Sequence, residues 1–263
     1  MHLNIIIFSK VFKHKRMKMK DNFSLQCKGY SMYRPLYPPE LFDFLNAVVQ
    51  TKLNAWDCAT GNGQCARELA NSFQHVYGSD ISEKQLSEAI RKENITYAKE
   101  PAEQTSLPAG TVNLVTVAQA LHWFNFEKFY EEVRRVSAPD GMIAVWCYSL
   151  FSVNPEIDQV MDEFHFDILE AYWDRERKYV DDGYGAIPFP FKEIECPRFE
   201  IKCNWNIGML EGYLNTWSAV QKFIKVNNES PVPALIERLK KFFPSGESVA
   251  VRFPLPMKMG YIL

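Results

Sequence analysis

The chain has 263 residues, 47% of them hydrophobic and 24% charged, with a formal net charge of -2. That composition fits a globular chain with a substantial core, and its charge gives no electrostatic reason to expect nucleic acid as the main partner. Six cysteines (Cys27, Cys58, Cys65, Cys147, Cys196 and Cys203) form no C-x-x-C pair and join no histidine cluster. No metal site is expected, and scattered thiols fit a reducing cytoplasm.

Residues 1–20 combine a short apolar run, LNIIIF from Leu3, with the basic KVFKHKRMKMK that follows. This order is the reverse of a secretory signal, and the run is too short to span a bilayer. A disordered basic extension is expected, or a true start at Met17 or Met19; a basic membrane-surface segment is the alternative. Nothing else looks membrane-spanning. Residues 21–263 are expected to form one domain, with 21–150 binding a cofactor and 151–263 shaping a substrate pocket.

From Pro38, PPELFDFLNAVV sets Leu41, Phe42, Leu45 and Val48 at helical spacing, with Pro39 and Glu40 suited to a first turn. NAWDCAT reads as a buried strand and GQCARELANSF as a helix with Ala66, Leu69, Ala70 and Phe73 inward. HVYGSD is a second strand, SEKQLSEAIRKE a helix capped by Ser82, and ITYAKE a third strand. TVNLVTVAQA is a fourth strand, NFEKFYEEVRRVS a helix, APDG a turn and MIAVWCYS a fifth strand. Strands alternating with helices at this spacing predict right-handed crossovers and an α/β, doubly wound, mostly parallel sheet. Such sheets bind ligands beyond the carboxyl ends of their strands. That rule puts Asp57, Asp80, Ala102, Glu103 and residues 119–124 along one rim.

Beyond Ser149 the alternation stops. PEIDQVMDEFHFDILEAYWDRERKYV reads as helix, with DRERKY from Asp174 as a solvated charged face. FEIKCNWN is a candidate strand, GMLEGYLNTWSAVQKF and PALIERLKKFF are helical, and SVAVRFPLPMKMGYIL closes as one or two strands. Tyr172, Trp173, Trp205, Tyr213 and Trp217 are available to line an acceptor pocket, though most aromatics at helical spacing are core.

GNGQCA from Gly61 satisfies G-x-G-x-x-G/A, and Asp80 stands at the distance of a ribose-binding acid. An NAD(P)-dependent oxidoreductase fits those letters. Asp57 shifts the choice: a carboxylate at the end of the first strand is a poor neighbour for a pyrophosphate. It suits S-adenosylmethionine, which carries an ammonium, a sulfonium and a ribose diol. The alternative for Asp57 is that it caps the following turn.

Across residues 22–263 the chain resembles the class I S-adenosylmethionine-dependent methyltransferases, methyltransferase type 11 group, and is similar to trans-aconitate methyltransferases. YSMYRPLYP, DCATGNGQ, GSDIS, AEQTSLPAGTVNLVTVAQALHWF, APDGMIAVW and YLNTWSA carry the resemblance through their order and spacing. It implies a seven-stranded Rossmann-like sheet whose final strands lie around residues 199–205 and 257–263. It also implies that Asp57, Gly61 and Gly63 form the first motif, with Ala59 where the family more often has glycine. Asp80 falls on the ribose acid, Ile81, Ala102 and Glu103 around the adenine, and Gln119 on the methionine part. Tyr30, Tyr33 and Arg34 match an N-terminal lid, with Arg34 suited to the cofactor carboxylate.

Methyl transfer from a sulfonium is an in-line displacement that needs alignment in a dry site. A carboxylate acceptor needs no base; for a phenol or amine the candidate base is His122, whose alternative role is a structural hydrogen bond. Trp123 and Phe124 are candidates to line the methyl pocket, or to pack the next helix. Arg175, Arg177 and Lys178 are the basic residues available to anchor an acidic acceptor. The expected function is therefore S-adenosylmethionine-dependent methylation of a small molecule, with a carboxylic acid as the acceptor considered. A catalytically inactive binding module is the non-enzymatic alternative, for which Ala59 is the hint.

Overall fold

A computed structural model describes residues 33–243 and 247–262. The basic extension and Tyr30 lie outside the described residues. Helix α1, Pro39–Val48, buries Leu41, Phe42 and Leu45. Then come β1 (Asn54–Cys58), α2 (Gln64–Leu69), β2 (His75–Asp80), α3 (Glu83–Ser87), β3 (Ile95–Lys99), β4 (Val112–Ala118), α4 (Phe126–Val136) and β5 (Ser137–Trp146). The second half holds α5 (Pro155–Asp162), α6 (Arg177–Asp181), β6 (Lys192–Ile194), β7 (Phe199–Trp205), α7 (Ile207–Asn215), α8 (Ser218–Asn227), α9 (Val232–Leu239), β8 (Val249–Leu255) and β9 (Met257–Tyr261).

Seven strands form one sheet in the order β3-β2-β1-β4-β5-β9-β6. Strands β1 to β5 pair in parallel, while β9 runs antiparallel to both β5 and β6. The chain order reverses between β1 and β4, the switch point where such sheets open a crevice. Successive residues of β4 feed opposite layers. Leu114 joins an apolar layer with Leu41, Leu45 and Leu69 of α1 and α2, and Val115 and Val117 join a second with Phe129 and Val133 of α4. Burying each such side chain contributes about 1.5–3 kcal/mol, which is why strands covered on both faces appear in the sequence as continuous apolar runs.

Four expectations need correction. Strand β7 does not enter the main sheet; it pairs with β8 in a separate two-stranded antiparallel ribbon. The seventh place goes to β6. Phe199, Ile201 and Trp205 of β7 are buried, while Lys202 is exposed. A strand with one apolar face suits a ribbon lying on helices, not a sheet covered on both sides. The APDG turn is instead an irregularity within β5, whose pairing to β4 jumps from Ser137 to Met142.

The long helix predicted after Ser149 breaks up. After α5 the chain passes through a π-helical turn, Glu163–Ile168, and a short 3-10 turn, Glu170–Tyr172, before α6. Nor is DRERKY only a solvated face: Asp174 pairs with Lys222 at 2.6 Å and Arg177 lies over the Trp173 ring at 4.6 Å.

Candidate active site

The rim begins at Asp57, which is fully buried and turned inward. Thr60 Oγ1 and the Ala66 amide donate to its Oδ2 at 2.5 and 3.0 Å, and Thr116 Oγ1 donates to Oδ1 at 2.9 Å. Burial pushes the Asp57 pKa above the ordinary carboxylate value against the pull of those donors. Asp57 therefore ties the glycine loop to α2 and β4.

Within that loop Ala59, Gly61 and Gly63 all have left-handed backbone, with φ of 54°, 56° and 80°. A Cβ at Gly61 would meet only Gln85 Oε1, at 3.9 Å, so the backbone there is open to close approach. Gly63 differs. A Cβ on it would stand 2.2 Å from the Tyr97 hydroxyl, which donates to the Ile90 carbonyl at 2.8 Å. The missing side chain of Gly63 makes room for Tyr97, and the residue N-caps α2.

Asp80 ends β2 half-buried. Its Oδ2 accepts the Gly61 amide at 2.9 Å and its Oδ1 the Ser82 amide at 2.8 Å. These two donors orient the carboxylate toward the loop. Ile81 follows it half-buried, and Ala102 is buried. Glu103 Oε1 accepts the amide of Asn125, the N-cap of α4, at 2.8 Å.

Across the switch point, Gln119 has φ of 62° and grips the backbone of Tyr148 in both directions. Its Nε2 donates to the Tyr148 carbonyl at 2.8 Å, and the Tyr148 amide donates to its Oε1 at 2.7 Å. The side chain therefore ties the ends of β4 and β5 together. Arg34 Nη1 donates to the Tyr148 hydroxyl at 3.2 Å, with its guanidinium 5.7 Å from the Tyr213 ring centre. Tyr33 covers Gly212, where a Cβ would fall 2.3 Å from its ring.

His122 is buried, with Nδ1 3.0 Å from the Tyr184 hydroxyl. Burial, and then the charge of Arg177, bring its pKa down to about 3. Trp123 packs at a tilt against His122 at 4.8 Å, and Phe124 packs on Phe129 of α4 at 4.8 Å. Of the aromatics considered for an acceptor pocket, Trp205, Tyr213 and Trp217 are core, and Tyr172 packs on Phe223 at 4.8 Å. Trp173 alone among them stands beside a basic candidate, Arg177. A cleft of about 870 Å³ lies elsewhere, between α1, α2 and β7, and is lined by none of these rim residues.

Tyr148, Ser149, Tyr184 and Asp181 were not singled out in the sequence. The rim rule extends to the first two, because MIAVWCYS ends in polar residues where β5 ends. Tyr184 and Asp181 arrive from a loop and a helix whose path no spacing reveals.

Comparison with known proteins settles the class. Residues 56–145 match the family described as Methyltransferase domain. A Dictyostelium discoideum protein named as a methyltransferase is 35% identical over 91% of this chain and 94% of its own length. A solved structure from Anaeromyxobacter dehalogenans, titled as a type II methyltransferase, is 37% identical, with a TM-score of 0.81 over 88% of this chain and 98% of that one. A Saccharomyces cerevisiae protein named as a probable S-adenosylmethionine-dependent methyltransferase is 27% identical over 63% of this chain and 59% of its own.

The chain belongs to the class I S-adenosylmethionine-dependent methyltransferase family. It is a methyltransferase, and its cofactor is S-adenosylmethionine. The oxidoreductase and inactive-module alternatives fall away. The rim fits this cofactor: a half-buried carboxylate ends β2, the backbone at Gly61 is open, and the nearby carboxylates suit a cation better than a pyrophosphate. Among the described residues no helix is long and apolar enough to cross a membrane, and no cluster of metal ligands occurs.

Proposed function

We propose that the enzyme methylates a carboxylate oxygen of a small-molecule acid, as the likeness to trans-aconitate methyltransferases suggests. The supporting observation is His122. Its Nδ1 is engaged by Tyr184 and its pKa lies near 3, so it is a feeble proton acceptor at neutral pH. Burial also raises the pKa of Tyr184, Tyr213 and Cys147 nearby, which keeps them protonated. A site so arranged favours an acceptor that arrives ionised. His122 is then a structural residue holding the turn after β4 through Tyr184.

When bound, S-adenosylmethionine supplies a methyl group on a cationic sulfur, open to in-line displacement. In this reading Asp80 accepts the ribose hydroxyls, its carboxylate turned toward the glycine loop by the Gly61 and Ser82 amides. Ile81, Ala102 and Glu103 border the adenine. Asp57, Ala59, Gly61 and Gly63 shape the loop, with Asp57 acting from beneath it. Gln119 borders the methionine part by fixing the ends of β4 and β5, and Arg34 takes the cofactor carboxylate. Tyr33, His122 and Trp123 border the acceptor. We take residues 21–263 as one domain, because the C-terminal helices share an apolar layer with the sheet. The free cysteines Cys58, Cys65, Cys147, Cys196 and Cys203 favour a cytoplasmic setting.

The test is transfer of labelled methyl from S-adenosylmethionine to a panel of small carboxylic acids beside phenols and amines. The expected product is an alkali-labile methyl ester, formed at a rate nearly flat between pH 6 and 8. Transfer only to phenols or amines, with a rate rising through a pKa near neutrality, would overturn the carboxylate assignment.

A further inference from the structure

Helix α6 packs against the turn that holds His122, over the carboxyl ends of β4 and β5. Its first residue, Arg177, is held from three sides. Nε donates to Asp181 Oδ1 at 2.9 Å, Nη2 donates to Ser149 Oγ at 3.1 Å, and the guanidinium lies 4.6 Å from the Trp173 ring centre. Asp181 is fixed in turn: Ser149 Oγ donates to its Oδ1 at 2.6 Å, and His165 Nε2 stands 3.5 Å away. The fully buried His165 is delivered by the π-helical turn, and its carbonyl accepts Trp173 Nε1–H at 3.1 Å. Turns of this kind recur at functional sites.

An exposed ion pair contributes little and would not need such support. The Arg177 side chain is only 20% exposed. Its Nε and Nη2 are engaged, while Nη1 meets no acceptor among the described residues. It stands beside the turn that carries His122 and beside Ser149, just past β5, on the β4 and β5 side of the rim. Arginine in a fixed plane recognises carboxylates with a directionality lysine lacks.

We propose that Arg177 is the acceptor-recognising residue, taking one oxygen of the acceptor carboxylate on Nη1, with Asp181, Ser149 and Trp173 as positioning residues that fix its plane. This rests on the reading of the acceptor as a carboxylic acid. The second carboxylate oxygen keeps its lone pair for the methyl carbon: the new C–O bond forms as the C–S bond breaks, its electron pair stays on sulfur, and no proton moves. Asp181 offsets part of the charge that a cationic cofactor would otherwise meet.

The test uses the full chain, the same acid panel with the matching carboxamides, and calorimetric binding of S-adenosylhomocysteine as a control. Arg177→Gln is expected to raise KM for the best acid about tenfold to a hundredfold, with kcat and S-adenosylhomocysteine affinity nearly unchanged. Arg177→Lys should recover part of that loss, and Ser149→Ala should raise KM by a smaller factor. Acids methylated equally well by Arg177→Gln would overturn this inference and leave the carboxylate reading standing. Loss of S-adenosylhomocysteine binding in Arg177→Gln would overturn it too, by making Arg177 a cofactor or folding residue. A wild-type enzyme that binds S-adenosylhomocysteine but methylates no acid, or methylates carboxamides as readily, would remove both.

Discussion

At Ala59 the structure carries a methyl group where the backbone is left-handed, with φ of 54°. That conformation costs an L-residue about 1–2 kcal/mol, part of which glycine returns as greater freedom in the unfolded chain. Ala59→Gly is therefore expected to stabilise the protein by about 0.5–1 kcal/mol and raise the melting temperature by about 2 °C; an unchanged or lower value would contradict the strain. Gly63→Ala should go the other way, losing about 2 kcal/mol, because the methyl meets the Tyr97 hydroxyl as well as a φ of 80°. Adding Tyr97→Phe should restore part of that loss in a double-mutant cycle, and additive effects would show that the clash is not what Gly63 avoids. The letters G-x-G made both glycines visible in the sequence. What they could not show is that one leaves the loop surface open and the other accommodates a tyrosine from β3, since that depends on packing between elements 34 residues apart in the chain, Gly63 to Tyr97.

Among the elements, strands β1 and β4 and helix α4 were legible because burial on both faces, or on one helical stripe, imposes a pattern on neighbouring residues. Ser82 also caps α3 as read, accepting the Gln85 amide at 3.3 Å. The region after β5 was legible as helix and strand, but not in its breaks. The π-helical turn keeps the composition of a helix, and β7 has the letters of a strand whichever sheet receives it. The turn carrying His122 gives a prediction at this scale. The unfolded chain takes up a proton on this histidine near the ordinary pKa of 6.5, whereas the folded chain resists until about 3. Acid therefore favours the unfolded state, and stability should fall as pH drops below 6.5, by up to about 1.4 kcal/mol per pH unit from this group. Burial lowers the His165 pKa as well, so it adds in the same direction. Denaturant unfolding between pH 7 and 5 checks this: His122→Gln should flatten the slope, and an equal slope in the variant would show that His122 protonates freely in the fold.

Over the whole molecule, the switch point between β1 and β4 divides the rim into two sides. Asp57, the glycine loop and Asp80 stand at β1 and β2, while Gln119, His122, Tyr148 and Ser149 stand at β4 and β5. The sequence disclosed the first side almost completely, because its residues sit within one strand-loop-helix unit and the strand that follows. The second side is assembled from β4, β5, α6 and the segment beginning at Tyr33, and only the fold brings these together. In the proposed site Asp80 holds the cofactor ribose on the first side. Calorimetric binding of S-adenosylhomocysteine and its 2′-deoxy analogue to wild type and Asp80→Asn tests it most directly, since the cycle isolates the contact between carboxylate and hydroxyl. Removing the hydroxyl is expected to weaken binding to wild type by about tenfold or more and binding to Asp80→Asn far less. Equal losses in the two proteins would show that Asp80 only supports the loop and that the ribose is held elsewhere.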